Sequence, residues 1–437
     1  MEAPLKPTFN EAFKFWLKLG FISFGGPAGQ IAIMHEFLVE KKKWISDSRF
    51  LHALNYCMVL PGPEAQQLAT YIGWLLHGVK GGLTAGILFI LPSVFILLGL
   101  SVVYVSFGKL AWVAALFYGL KPAIVAIIIL AMIKIGKKSL LTPFHYVLAA
   151  ISFICIFFFN ISFPLIILGS IVAGFIALQV YPLLLKPSKA TAKSDINESQ
   201  YYLNKFSAPI YDGLNARSIL LKTSIGVVLW IIPFVFIYLI SSQNQFWISL
   251  NLFFTKAAFV TFGGAYAVLP YVAQESVQNF HWLSQYEMID GMALGESTPG
   301  PLIMILVFVG FMAGYNIYGG SVAAGTVGLL ATTFYTFLPC FLFILIGAPI
   351  IEMTKENEKL KSVLSIITAA VVGVVLNLTL YFGEAVIFPK GFQFSPDWFA
   401  LVWIVISLVA LYRFKINMIL WIGISALAGL VYSMLSL

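Results

Sequence analysis

Four short Gly/Pro interruptions inside apolar segments are the residues best placed to do chemistry in this 437-residue chain. They are Phe24-Gly25-Gly26-Pro27, Pro61-Gly62-Pro63, Phe262-Gly263-Gly264 and Pro299-Gly300-Pro301. A helix that restarts after such a break turns free backbone N–H groups and its positive dipole end toward the break, and that makes an anion site. Glycine lets backbone approach a ligand closely. Pro27, Pro63 and Pro301 suit a first helical turn, where a missing N–H does no harm. Polar side chains extend the set. Gln66 and Gln67 follow Pro63, and Lys18 and Lys256 stand six residues before Phe24 and Phe262, where an ammonium could neutralise a dianion. The substrate-binding candidates are therefore Gly25, Gly26, Pro61, Gly62, Pro63, Gly263, Gly264, Pro299, Gly300 and Pro301, with Lys18, Lys256, Gln66 and Gln67. Glu64 and Glu296 are carboxylates in apolar surroundings, a costly placement that marks proton relays, and they are the proton-coupling candidates. Bland readings stay open beside these: a lysine that snorkels to the interface, a carboxylate paired with a lysine, and the general frequency of Gly and Pro in membrane helices.

The elements that must hold these residues are membrane helices. The chain is 60% hydrophobic and 10% charged, with a mean hydropathy of +0.94. A soluble domain carries about 25% charged residues to cover its surface. Runs at 83–105, 219–240 and 322–346 reach the roughly 20 apolar residues a spanning helix needs. Residues 1–8 are short and polar, and Glu11, Lys14 and Lys18 follow, so the start does not read as a cleavable signal. Cys57, Cys155 and Cys340 are far apart and lack metal or redox spacing. No HExxH, GxSxG or GxxxxGK[ST] motif is present, so no enzyme, metal, cofactor or ATP-driven step is expected. The net charge of +8 fits basic cytoplasmic loops rather than nucleic acid.

The chain repeats itself. Phe24 recurs as Phe262 and Pro61 as Pro299, and both pairs lie 238 residues apart (262 − 24 and 299 − 61). The same offset matches Lys18 with Lys256, Trp44 with Trp282, and Gly81-Gly82 with Gly319-Gly320. This divides the chain into a first repeat at 1–185, a linker with one connecting span at 186–241, and a second repeat at 242–437. The polar stretch from Lys186 to Arg217, which contains the run KPSKATAKSDINES, reads as a solvated linker without core-forming content.

Each repeat opens with two interrupted segments, 9–39 and 50–76 in the first, whose pieces are too short to cross. Read as re-entrant hairpins with a cytoplasmic N-terminus, they keep Lys41, Lys42, Lys43 and Arg49 inside. Spans near 83–106, 112–136, 145–158, 162–182 and 219–240 follow, then four more in the second repeat. Of 26 Lys and Arg, this leaves 22 inside, with Lys109 and Lys390 outside and Lys121 and Lys256 at membrane depth. The expected fold is an all-α polytopic membrane protein of two inverted-topology repeats, with substrate held near the midplane at the repeat interface. Such a chain has lipid as a partner and a small anion as cargo; the sequence leaves oligomeric state open, a homodimer included.

The stretches FGGPAGQIAIMHE, KKKWIS and HALNYCMVLPGPEAQQLATYIGWLLHG, with TFGGAYAVLPY and STPGPL in the second half, resemble the chromate ion transporter family in its long two-domain form. The resemblance implies an inner-membrane secondary carrier that exports chromate and confers chromate resistance. It also implies protons as the driving ion and sulfate, another tetrahedral dianion, as a competitor. An uptake carrier for sulfate or another oxyanion would share this architecture, and so would a passive anion channel without need of Glu64 or Glu296.

Overall fold

A computed structural model describes residues 6–180, 200–204, 216–240, 244–353 and 358–435. Every long element among them is a helix, and the one strand-like contact is a bridge between Ile45 and Leu203. The first repeat opens with α1 (Phe9–Ile22), α2 (Gly26–His35), α3 (Asp47–Cys57) and α4 (Glu64–Phe107). α4 is two helices in one run: His77 (φ −137°) and Gly78 (φ 64°) break it, so 64–76 returns from a tip and 79–107 is a span. α5 (Ala111–Ser139), α6 (Pro143–Phe159), α7 (Phe163–Val180) and the connecting α8 (Ala216–Ile240) follow. The second repeat runs α9 (Asn244–Val260), α10 (Ala265–Ala273), α11 (Gln285–Glu296), then a 3-10 turn Leu302–Met304 leading into α12 (Ile305–Ile317). It ends with α13 (Val322–Met353), α14 (Glu358–Ile387), α15 (Trp398–Leu408) and α16 (Met418–Leu435).

Local chemistry explains the hairpins. Thr8 caps α1 and exchanges hydrogen bonds with Glu11, and Ser284 does the same with Glu287 on α11. The buried residues of α1, Ala12, Phe15, Trp16, Leu19 and Gly20, recur at i, i+3, i+4, i+7 and i+8 and so form one stripe against α4. The chain leaves the helix at Ser23 (φ −80°, ψ 75°), and Gly25 at φ 86° turns it into α2. At the far end of α2 a π-helical turn, Glu36–Lys41, leads to Lys43 at φ 52°, and the Trp44 N–H closes onto the Leu38 carbonyl at 2.8 Å. The second repeat builds the same turn at the same offset: Gln274–Asn279, His281 at φ 50°, and Trp282 N–H to Ser276 carbonyl at 2.8 Å. The duplication is thus structural down to single hydrogen bonds.

Among the described residues six helices are long and apolar enough to cross a membrane, and α6, α7 and α15 are shorter apolar helices. The 17 residues of α6 rise about 25 Å, slightly under a hydrocarbon core, as the short 145–158 segment leads one to expect. The chain is a multi-pass membrane protein. The late helices interlock across the repeats: α6 and α7 pack on α14 of the second repeat, while α15 and α16 pack on α5 of the first. Gly119 of α5 lies against Gly429 of α16, a close approach that small residues permit between membrane helices.

Between the two sets of hairpins stand the long second part of α4, then α5, α6, α7 and α8, an odd number of helices if each crosses as the sequence leads one to expect. The hairpin loops at 36–44 and 274–282 should therefore open on opposite membrane faces. In a background with Cys57, Cys155 and Cys340 replaced by alanine, Lys41→Cys and Asn279→Cys should label with an impermeant maleimide from opposite sides. Both positions are exposed. Labelling from one side would overturn the inverted arrangement.

One sequence expectation needs correction. The linker run at 186–199 lies outside the described residues, but Gln200–Asn204 is not a bare solvated segment. Leu203 is buried, its N–H reaches the Trp44 carbonyl at 3.0 Å, and its carbonyl accepts from Ser46 N–H at 2.8 Å. Arg49 Nη1 donates to the Asn204 carbonyl at 3.0 Å and Lys43 Nζ to Gln200 Oε1 at 3.0 Å. The apolar side chain in an otherwise polar stretch finds a pocket on the first hairpin loop, and backbone bonds satisfy its peptide groups.

Candidate functional site

The four breaks meet in pairs across the repeats. Gly62 N–H donates to the Thr261 carbonyl at 2.7 Å, and Gly300 N–H donates to the Ser23 carbonyl at 2.7 Å. The two bonds are equivalent under the 238-residue offset, so they mark a pseudo-two-fold axis running through the site. Each Pro-Gly-Pro break of one repeat is hydrogen-bonded to the Phe-Gly-Gly break of the other. Such irregular backbone at membrane depth requires protein partners, and here it has them.

The glycines divide by what surrounds them. Gly62 (φ 125°) and Gly300 (φ 95°) are closely packed: a Cβ on Gly62 would meet Cys340 Sγ and Gln67 Nε2 at 2.7 Å, and one on Gly300 would strike Ser93. Gly263 is confined by Thr368. Gly26 (φ 69°) and Gly264 (φ 96°), by contrast, have no heavy atom within 4 Å of a Cβ position, and Gly25 has only Gly29 Cα at 3.9 Å. Gly264 is nevertheless buried. Two of the breaks are packing joints, and the other two border open space.

Pro61, Pro63, Pro299 and Pro301 hold the joints. The Pro61 carbonyl accepts from Gln67 Nε2 at 2.7 Å, and the Pro299 carbonyl accepts from Ser93 Oγ. Gln66 donates to Thr70 Oγ1 at 3.1 Å. Gln66 and Gln67 are buried, and the Oε1 atom of each is without a hydrogen-bond partner. Glu64 is half-buried in the first turn of α4, where a carboxylate complements the helix dipole. Glu296, fully buried at the end of α11, accepts from Tyr266 Oη at 2.5 Å, and Tyr266 stands two residues after Gly264. Lys18 and Lys256 are not gathered in. Both are exposed on α1 and α9, off the buried stripe, and the Lys18 ammonium lies 5.3 Å from the Phe37 ring centroid. This is the placement of a snorkelling lysine.

Several polar groups at the tips escaped the sequence reading. Gln30 is buried, with Nε2 donating to the Gly300 carbonyl at 2.5 Å and to the Ser23 carbonyl at 3.3 Å. Its Oε1 has no partner. Ser23, Thr261, Ser93 and Tyr266 complete the joints. A buried amide four residues after Gly26 is a visible anomaly in an apolar helix, but its partner lies 270 residues away.

The arrangement can do one thing well. Helix N-termini at Gly26, Glu64, Ala265 and Leu302 start from mutually bonded breaks, with glycine-lined space beside two of them. Each such N-terminus carries about half a positive charge, a sign that suits an anion. The chain matches the chromate transporter family over residues 10–175 and 248–430, a match that takes in all four breaks. It belongs to that family. It is 32% identical to the chromate transport protein of Pseudomonas aeruginosa over 85% of this chain and 80% of that one. It is 30% identical to the chromate transport protein of Cupriavidus metallidurans over 84% and 81%. An uncharacterized transporter of Methanocaldococcus jannaschii is 27% identical over 98% and 96%. No solved structure matches the chain. As a member of a transporter family, with its Phe-Gly-Gly and Pro-Gly-Pro breaks cross-bonded at the repeat interface, the protein has its candidate site at that interface rather than in a peripheral pocket.

Proposed function

We propose that this protein is a secondary carrier that exports chromate across the inner membrane, with its N-terminus in the cytoplasm, protons as the driving ion and sulfate as a competitor. The observation that carries the reading is the reciprocal pair of bonds, Gly62 to Thr261 and Gly300 to Ser23. They bring four helix starts to one interface built equally by both repeats, where a symmetric tetrahedral dianion fits. The relatives named chromate transport proteins supply the substrate class. Orientation rests on the Lys41–Arg49 cluster beside the first hairpin loop, against a second loop at 274–287 with no Lys or Arg. Glu64 and Glu296 are the carboxylates in reach of the breaks, and they supply the titratable positions that coupling requires. The dianion is held by backbone N–H groups, with Lys18 and Lys256 outside the site.

The test is chromate accumulation in cells with and without the protein. Cells carrying it should accumulate several-fold less chromate, a protonophore should remove the difference, and excess internal sulfate should shrink it. Greater accumulation would make the protein an uptake carrier, and insensitivity to the protonophore would remove protons from the cycle.

A further inference from the structure

Away from the tips, a second charged cluster is buried where the repeats meet. Asp290 of α11 is 5% exposed. Tyr104 of α4 donates to its Oδ2 at 3.0 Å, and Lys121 of α5 brings Nζ to 3.8 Å from Oδ1. The acid comes from the second repeat and both partners from the first. We propose that Asp290 is a further proton-binding group of the coupled cycle, beside Glu64 and Glu296, with Lys121 as its counter-charge; this rests on the proton-coupled reading above.

Three features carry the assignment. First, the pair is loosely closed. At 3.8 Å the ammonium exerts Coulomb attraction without a hydrogen bond, and Oδ1, buried, has no hydrogen-bond partner. A buried ion pair is a poor stabilising device because desolvation offsets its attraction, so one left with an open acceptor is not explained by stability. Intramembrane carboxylates of this kind are functional by default. Second, the cation has a second partner: Lys121 Nζ also lies 4.6 Å from the Tyr286 ring centroid, a cation–π contact that can hold it when the carboxylate is neutral. Third, the placement is one-sided. α11 bears Glu287 in its first turn by the loop, Asp290 buried within it and Glu296 at the tip. Six residues separate Asp290 from Glu296, about 9 Å along the helix. The equivalent positions in the first repeat are Arg49 and His52 of α3 and Met58 just after it, with no carboxylate among them. The buried acids Asp290 and Glu296 therefore have no counterpart at the matching positions of the first repeat, where α3 bears its carboxylate, Asp47, in the first turn.

The groups facing Asp290 are Tyr104 from α4, Lys121 from α5, and Tyr286 and Glu287 from its own helix; α12 contributes the apolar ring of Phe308 beside Tyr104. The step is a plain protonation. A proton from the aqueous side of the α11 loop forms an O–H bond at Oδ1, the cluster gains one positive charge, and Lys121 is held by its contact with the Tyr286 ring. Release of that proton re-forms the ion pair. Net transport requires the proton to come off in each cycle, whereas exchange of one anion for another returns the loaded carrier and does not.

That difference is the test. Purified protein in vesicles is assayed with chromate in two ways, accumulation driven by an imposed pH gradient and gradient-free exchange. Asp290→Asn should lose gradient-driven accumulation at least tenfold and keep exchange within about twofold of wild type. Should that variant fail to insert, Lys121→Gln and Tyr104→Phe carry the same test: each should displace the pH of half-maximal accumulation and leave exchange unchanged. Full gradient-driven accumulation in Asp290→Asn, or parallel loss of both assays, overturns the proposal. So does an unshifted pH profile in both partner variants. A wild-type protein that exchanges chromate but never accumulates it on a pH gradient overturns the coupling reading itself, and this inference with it.

Discussion

Gly264→Val is expected to abolish measurable binding of chromate and of sulfate to the purified protein, while Lys256→Gln binds like wild type. Gly264 has φ 96° and ψ 175°. This region of backbone space is essentially confined to glycine, and a side chain there costs about 1–3 kcal/mol. Each 1.4 kcal/mol transmitted to the site is tenfold in affinity. The space beside Gly264 is the second part of the argument. A Cβ there meets no atom within 4 Å although the residue is buried, so valine projects into open volume at the start of α10. Gly264→Ala separates the two effects. It suffers the same backbone cost but fills less space, so it should weaken binding about tenfold where valine removes it. Thermal unfolding of both variants reports the strain common to them. Equal binding by Gly264→Val and wild type would place the anion elsewhere. Strong loss in Lys256→Gln, with Gly264→Ala intact, would return the charge role to the lysines.

Much of this site is legible in sequence because it is duplicated. The 238-residue offset that pairs Gly26 with Gly264 also pairs Lys43 with His281, and both sit at φ near 50° after a π-helical turn. Local backbone chemistry, glycine at the breaks, is written in adjacent residues and can be read from them; of the prolines expected in first turns, Pro27 lies in one, whereas Pro63 and Pro301 stand one residue earlier as extended caps. Lys18 shows a limit that careful phasing would have removed. Ala12, Phe15, Trp16 and Leu19 define the buried face of α1, and position 18 falls off that stripe. On α9, Leu250, Phe253, Phe254 and Ala257 are buried in the same phase, and Lys256 falls off it too. What no pattern along the chain discloses is which distant group each polar residue meets. Gln30 finds Gly300, Ser93 finds Pro299, and Tyr104 finds Asp290, over 270, 206 and 186 residues. Those pairings follow from how interlocked repeats pack, and period and composition are silent on them. Leu203 is similar: one apolar residue in a polar linker is visible, but its seat on the Trp44–Ser46 backbone is not.

Glu64→Gln should cut chromate export at least tenfold while the protein still reaches the membrane and melts near the wild-type temperature. Glutamine keeps the volume and the hydrogen-bonding reach of the side chain and removes only its titratable charge. The structural account of Glu64 is that a carboxylate in the first turn of α4 stabilises a helix N-terminus, an effect of about 0.3–1 kcal/mol. Loss of that amount would lower the melting temperature slightly and leave transport nearly intact. The coupling account predicts the reverse, a nearly unchanged fold with a large loss of export. Position decides why the effect should be large. Glu64 follows Pro63 directly, and Gly62 N–H is the group bonded across the repeats to Thr261. A charge that comes and goes at residue 64 therefore sits beside one of the two joints that hold the breaks together, and beside a helix start offered to the anion. The uncharged amide of Glu64→Gln would keep the site permanently attractive, so binding should survive, or tighten, while turnover falls. Binding and export must then part company in this variant. If export and its pH dependence match wild type, Glu64 serves the helix alone and the proton is carried along α11.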